Sequence, residues 1–345
     1  MLAVTTPTDH AAFVAGLPKC ELHLHVEGTL EPEMTFALAA RNGIVLPQAT
    51  PEERRASYVF DSLTSFLVSY YDSMRVLITE QDFHDLAAAY LARAAAQNVR
   101  HAEIFFDPQA HTSRGVPFAT VVTGLRRAVV AARTELGIHA ELILCFLRDH
   151  STASAMETLE ASLPFRDSII GVGLDSDERD NPPEKFVAVF ARARAEGYRL
   201  TMHCDVDQVG SIDNIRTALH DIGVDRLDHG TNVVEDPELV AELRTRGIGL
   251  TCCPVSNGYV VDGMKAAEIS GLLRGGVKVT VSSDDPAYMG GDYVSENLLA
   301  LAAGAELSRA ELVLLQRNAF EIAWLDDDAR AVLLDELAAY ARSGE

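Results

Sequence analysis

Basic residues are scarce in this chain. Its 345 residues carry 29 Lys and Arg against 51 Asp and Glu, a formal charge of −22 at pH 7. Nucleic-acid backbones and anionic membranes both call for a basic footprint, so this balance argues against either as a partner. It leaves room for a small neutral base. Long apolar runs are missing too: no stretch approaches the roughly 18 residues of a membrane span. The N-terminal stretch has no basic start and only a short apolar patch, which makes a poor signal peptide. Cysteine is sparse and odd in number, at Cys20, Cys145, Cys204, Cys252 and Cys253, and no pair has C-x-x-C spacing. Reduced thiols in a cytoplasmic protein follow. No low-complexity linker or charge block marks a domain boundary. No G-x-G-x-x-G follows the first strand-like run, which leaves an open doubly wound sheet without support.

What the chain does have is alternation. Strand-like runs stand at 20–26, 99–106, 139–147, 168–175, 198–204, 226–230, 247–253 and 277–283, with helical patterns between them. Eight buried strands alternating with helices predict parallel βαβ units closed into a (β/α)8 TIM-type barrel, which reaches this length as one domain covering 1–345. The spacing between the first two runs is abnormally long. It carries extra helical segments, including 63–77, and predicts inserted lid helices over about 50–98 on the catalytic face. A long helical tail over 307–343 closes the chain. Exposed apolar residues of the inserted helices either cover the mouth or pair two barrels into a homo-oligomer.

The polar residues fall in a pattern. His23 and His25 end the first strand, within ELHLHVEG. They stand at i and i+2, so both side chains face one way. His203 ends the fifth strand, His229 the sixth, and Asp284 and Asp285 the eighth. Any of these alone reads as a satisfied histidine, a helix cap or a turn. In a barrel, however, the C-terminal ends of all strands converge on one mouth. Three histidines and a carboxylate suit a borderline metal such as Zn²⁺ with one position open to water. Water on such an ion has a pKa near ~7 and becomes a nucleophile at neutral pH. His229 can take or hold its proton, and Asp285 can hydrogen-bond a substrate edge. Together these describe metal-assisted hydrolysis at an electron-poor carbon.

The motifs LPKCELHLHVEGTLEPE, HCD, LDHG, CPVSN and SSDDP, in this order from about 17 to 325, resemble the adenosine/adenine deaminase family of the amidohydrolase superfamily. The segments AEIFFDPQAHTSRGVPF and ILCFLRDHSTASAMETLE look closer to the adenine deaminase branch. The resemblance implies one zinc per chain held by His23, His25, His203 and Asp284. It implies His229 as the group that orients or deprotonates water, and Asp285 as acceptor from the purine N7–H or a related edge. It also implies backbone near Ser176 at N3, and an apolar lid from Phe66 and Leu67. Adenosine enzymes usually carry Asp where this chain has Glu27, and there it helps hold the ribose. A longer Glu27 could fill that space and favour a free base. Asp228, Ser256 and Asn257 read as supporting residues.

One departure from the family matters. Its members usually read H-A-G-E after strand five, and that Glu protonates the ring nitrogen. Here the stretch is His203-Cys204-Asp205-Val206-Asp207-Gln208, with Val206 at the position of the Glu. Two carboxylates flank it in a loop about two residues longer. Asp207 is the favoured acid, with Asp205 a near equal. The expected function is zinc-dependent deamination of adenine to hypoxanthine and ammonia, a small-molecule purine reaction of purine salvage. The alternatives are deamination of adenosine, of an N6-substituted adenine or of another 6-substituted purine nucleoside, and, from another class, a catalytically silent zinc- and purine-binding protein.

Overall fold

The structure, a computed structural model, describes residues 7–204, 209–261, 263–291 and 293–343. Its strands form two parallel runs. The first is β1 (Lys19–His25), β2 (Val99–Phe106), β3 (His139–Leu147), β4 (Gly171–Asp175) and β5 (Arg199–Leu200). The second is β6 (His203–Cys204), β7 (Arg226–His229), β8 (Gly249–Cys252) and β9 (Lys278–Val281).

The runs join at both ends. Thr201 N–H donates to Val172 O (3.0 Å) and Asp228 N–H to Met202 O (2.8 Å), so β5 and β6 are halves of one interrupted barrel strand. On the other side a parallel bridge pairs Leu24 with Asp284. His25 N–H donates to Asp284 O and Asp284 N–H to His23 O, both at 3.1 Å. The result is the expected closed barrel of eight parallel strands. β2 and β3 are buried along nearly their whole length, as strands covered on both sides must be.

The stretch between β1 and β2 holds helices Pro32–Asn42, Pro51–Ala56, Leu63–Ser73 and Glu80–Ala96. Helix Leu63–Ser73 starts at a reciprocal cap. Ser62 Oγ accepts from Ser65 N–H (3.2 Å), and Ser65 Oγ accepts from Ser62 N–H (3.1 Å). Glu80–Ala96 packs outside the barrel against helix Phe118–Glu135, where Gly124 admits Glu80 O and Phe83. Of the predicted insertion, therefore, it is the segment around Leu63–Ser73 that reaches the mouth.

The C-terminal helices differ from an unbroken tail. They run Arg309–Ile322 and Asp327–Ser343, and the turn between them sends Trp324 towards the opposite end of the barrel. There the Arg226 guanidinium stacks on the Trp324 ring (4.2 Å), and Glu103 Oε1 accepts from the Trp324 backbone N–H (2.5 Å). Glu103 and Arg226, both fully buried, form an ion pair inside the barrel. Beside them Phe105, Ile143 and Cys145 make a small apolar cluster, while the main core lies between strands and helices. All five cysteines are buried and none forms a disulfide. Among the described residues no helix is long and apolar enough to cross a membrane.

Candidate active site

Each predicted metal-binding side chain leaves its strand at the C-terminal end, and the barrel brings them together. Ligand-capable atoms of His23, His203, His229 and Asp284 lie within 4.8 Å of one another. His25 joins them, its Nε2 lying 3.1 Å from His203 Nε2 and 3.5 Å from Asp284 Oδ1.

The hydrogen bonds orient these rings. Asp228, fully buried on β7, accepts from Thr201 Oγ1 (2.6 Å) and from Thr251 Oγ1 (2.8 Å). Thr251 has then used its one proton, so its contact with His23 Nδ1 (2.9 Å) requires His23 to donate. That tautomer leaves a bare lone pair on His23 Nε2, which has no hydrogen-bond partner and lies 3.2 Å from Asp284 Oδ1. A lone pair against a carboxylate oxygen at that distance is repulsive unless a cation stands between them. His25 and His203 repeat the arrangement. Their Nδ1 atoms face Asp175 Oδ2 (3.5 Å) and Asp228 Oδ2 (3.8 Å), and their Nε2 atoms face inward. Carboxylates behind histidines, with Nε2 atoms converging on one acid, is the outer arrangement that metal ligands need. The donor set therefore fits a divalent metal.

Electrostatics agree. Burial, with Asp284 opposing and His23 and His229 assisting, pushes His25 down to about 3. Burial and His23, opposed by Asp284, push His229 down to about 4. Burial and the three other histidines lower His203 as well. These shifts favour neutral His25, His203 and His229 at pH 7, the form in which an imidazole ligates a metal. Burial favours a neutral Asp284, but His23, His229 and His25 outweigh it and hold this carboxylate well below its usual range. Ser256 Oγ donates to its Oδ2 (2.6 Å), which gives Ser256 of CPVSN its supporting place. His229 Nε2 lies 3.9 Å from the same oxygen. His229 (φ 56°), Asp284 (φ 64°) and Ser176 (φ 76°) all have left-handed backbones, the strain that functional positions tolerate.

A cavity of about 380 Å³ opens over these groups. Phe66, Leu67, Tyr70 and Tyr71 of helix Leu63–Ser73 line one wall of it. Ser176 lies opposite and accepts from Tyr71 Oη (2.8 Å), while Thr64 Oγ1 donates to Asp177 (2.9 Å). Asp285 lines the cavity. Burial, then Asp284, Asp175 and Glu27, raise its pKa. Asn257 also lines it. The two candidate acids, Asp205 and Asp207, lie outside the described residues. The carbonyl that precedes them is fixed: buried Arg148 donates from NH1 to His203 O (3.1 Å).

Glu27 is placed differently from the expectation. It is fully buried one layer behind the cavity wall, where its Oε1 accepts from His111 Nε2 (2.8 Å) and from Asp107 N–H (3.2 Å). Other acids line the cavity instead, among them two at strand ends. Asp107 follows β2 and Asp175 ends β4. Burial, then Asp175 and Glu27, raise Asp107, and Asp175 is pushed up to about 7, chiefly by burial. Neither was singled out from the sequence, although both obey the same rule of strand ends that found the histidines.

A family model described as adenosine deaminase matches residues 18–340. An adenine deaminase of Sphingopyxis alaskensis is 50% identical over 335 residues, covering 96% of this chain and 97% of the relative. The crystal structure of an adenine deaminase from Arthrobacter aurescens superposes with a TM-score of 0.91 at 45% identity, covering 94% of this chain and 99% of the other. An amidohydrolase from Burkholderia ambifaria solved with bound zinc gives a TM-score of 0.88 at 29% identity, covering 99% and 96%.

Proposed function

The chain belongs to the adenosine deaminase family, and on that premise we propose that it hydrolyses adenine to hypoxanthine and ammonia. One observation carries this reading. In a chain half-identical to an adenine deaminase along almost its whole length, His23, His25, His203, His229 and Asp284 converge under a cavity that Asp285 lines.

We assign the roles as follows, with the geometry in support where it describes the residue. His23, His25, His203 and Asp284 would hold the metal, which we take to be one zinc per chain. Bound there, it supplies a nucleophilic water at neutral pH. Neutral His229, beside Asp284, accepts or holds that water's proton. Asp285 hydrogen-bonds the N7 edge and fixes the base in the plane where C6 meets the nucleophile. The acid that protonates N1 we assign to Asp207, with Asp205 as substitute; Arg148 anchors the strand end from which both depart. Ser176 approaches N3, and Phe66 with Leu67 covers the base and excludes water. In this reading 1–345 is one deaminase barrel with a helical lid, placed in cytoplasmic purine salvage, and its acidic surface suits a small neutral substrate.

The test is to supply zinc during purification and follow ultraviolet absorbance with adenine and adenosine in parallel, confirming ammonia release. Loss of adenine with adenosine untouched is the expected result. Stoichiometric zinc without adenine turnover would overturn the reading.

A further inference from the structure

Asp107 and Asp175 are 1% and 3% exposed, yet both line the cavity. Asp107 Oδ1 and both carboxylate oxygens of Asp175 have no hydrogen-bond partner, nor has the nearby Oδ1 of Asp285. Ligand-capable atoms of His25, Asp107 and Asp175 lie within 4.8 Å of one another. Asp175 stands at His25 Nδ1, the side of that ring turned away from the converged Nε2 atoms. Buried carboxylates without partners are costly, because each has given up its hydration. A carboxyl oxygen without a partner is satisfied by a donor brought in by the ligand.

We propose that Asp107 and Asp175 form a carboxylate clamp that binds the free N9–H of the purine and thereby selects bases over N9-substituted substrates. The inference rests on the deaminase reading and deepens it. With C6 at the metal ligands, the 9H tautomer would present a bare N7 that accepts from the Asp285 carboxyl, and the remaining edge of the five-membered ring would turn past His25 towards Asp107 and Asp175. A free purine base presents its N–H donor there. An N9-alkyl group removes that donor and leaves Asp107 Oδ1 buried and unpaired, a mismatch that polar sites reject strongly. The clamp takes over the role that a long Glu27 was expected to play; Glu27, held by His111, braces Asp107 through its backbone N–H.

Ribose hydroxyls are donors as well, so the decisive probe is 9-methyladenine, which has neither N9–H nor sugar. The zinc-loaded full chain and its Asp107→Ala variant are compared on adenine, adenosine and 9-methyladenine, with zinc content measured alongside. Asp107 is chosen because Asp175 touches His25. The wild type should favour adenine over 9-methyladenine by roughly 10³-fold or more in kcat/KM, in the range seen when a site loses a required donor. Asp107→Ala should raise KM for adenine about tenfold or more with zinc retained, and shrink that preference by a similar factor. An unchanged preference in the variant overturns the clamp, as does wild-type 9-methyladenine turnover equal to that of adenine. Adenosine turned over far better than 9-methyladenine, at a rate close to adenine, would assign the acids to ribose hydroxyls and also overturn it. If the wild type turns over none of these, the deaminase reading falls on its own. The clamp is then decided by calorimetry with hypoxanthine and 9-methylhypoxanthine: tighter binding of the unsubstituted base, lost in Asp107→Ala, supports it, and equal binding removes it.

Discussion

Gly28 and Asp285 meet with no room for a side chain between them. A Cβ on Gly28 would lie 2.2 Å from Asp285 Oδ1 and 2.7 Å from its Cα. Gly28 O also accepts from Ala287 N–H (2.9 Å), so the turn after β1 is laid directly against the turn after β9. Gly28→Ala must therefore push Asp285 out of position. We expect kcat for adenine to fall on the order of 10²-fold, the scale of a misplaced substrate contact, with zinc content unchanged. Kinetics and metal analysis on the same preparation check this. Full activity in the variant would mean that Asp285 does not orient the base.

His203→Ala should lose metal and activity together. His203 Nε2 is one of the inward-facing nitrogens, and its removal leaves His25 Nε2 without its 3.1 Å neighbour. Metal analysis after gel filtration reads the result directly. Stoichiometric zinc retained by the variant would remove His203 from the ligand set.

Asp207→Asn should lower kcat far more than it lowers zinc content. General acid catalysis contributes about 10²- to 10⁴-fold, which sets the size of the expected loss. Near-normal turnover would transfer the role to Asp205, and Asp205→Asn would then show the larger loss.

Acid should destabilise the barrel through Glu103. Burial acts to raise this carboxyl, but the Arg226 guanidinium and His101 overcome it and hold its pKa at about 2. The folded value lies below the unfolded one, so the ion pair's contribution is complete above the unfolded carboxyl range and fades as pH falls from about 4.5 towards 2. Urea midpoints of the metal-free protein across that window measure it, with no metal release to confuse the slope. Glu103→Gln should flatten the slope and cost ~3–5 kcal/mol at neutral pH, because Arg226 is left buried and unpaired. A midpoint unchanged between pH 5 and pH 3 in wild type would contradict this.

Much of the site was legible because one rule governs it. Catalytic groups of a parallel barrel stand at C-terminal strand ends, and His23, His25, His203, His229, Asp284 and Asp285 all do. The same rule covers Asp107 in FFDP and Asp175 in GLDS. They passed unnoticed because an acid before a proline or at the start of a turn reads as a cap. Glu27 misled for a different reason. Its place in the motif suggested contact with the ligand, while its actual neighbours, His111 and Asp107, come from a segment about eighty residues away that no local pattern links to it. The break at Trp324 was hidden similarly, since helical periodicity cannot show that one aromatic turns away to plug the barrel.

The closure between Leu24 and Asp284 has a consequence for how the protein is made. The strand carrying His23 and His25 leaves the ribosome early, but the edge it must pair with, and the carboxylate of Asp284, arrive about 260 residues later. Until then β1 waits as an open parallel edge, the kind of surface on which chains stick to one another. The proposed metal donors straddle that seam. An ion held there would draw on donors from both sides of the seam at once, so metal binding would be expected to stiffen the closure that the backbone bonds already make.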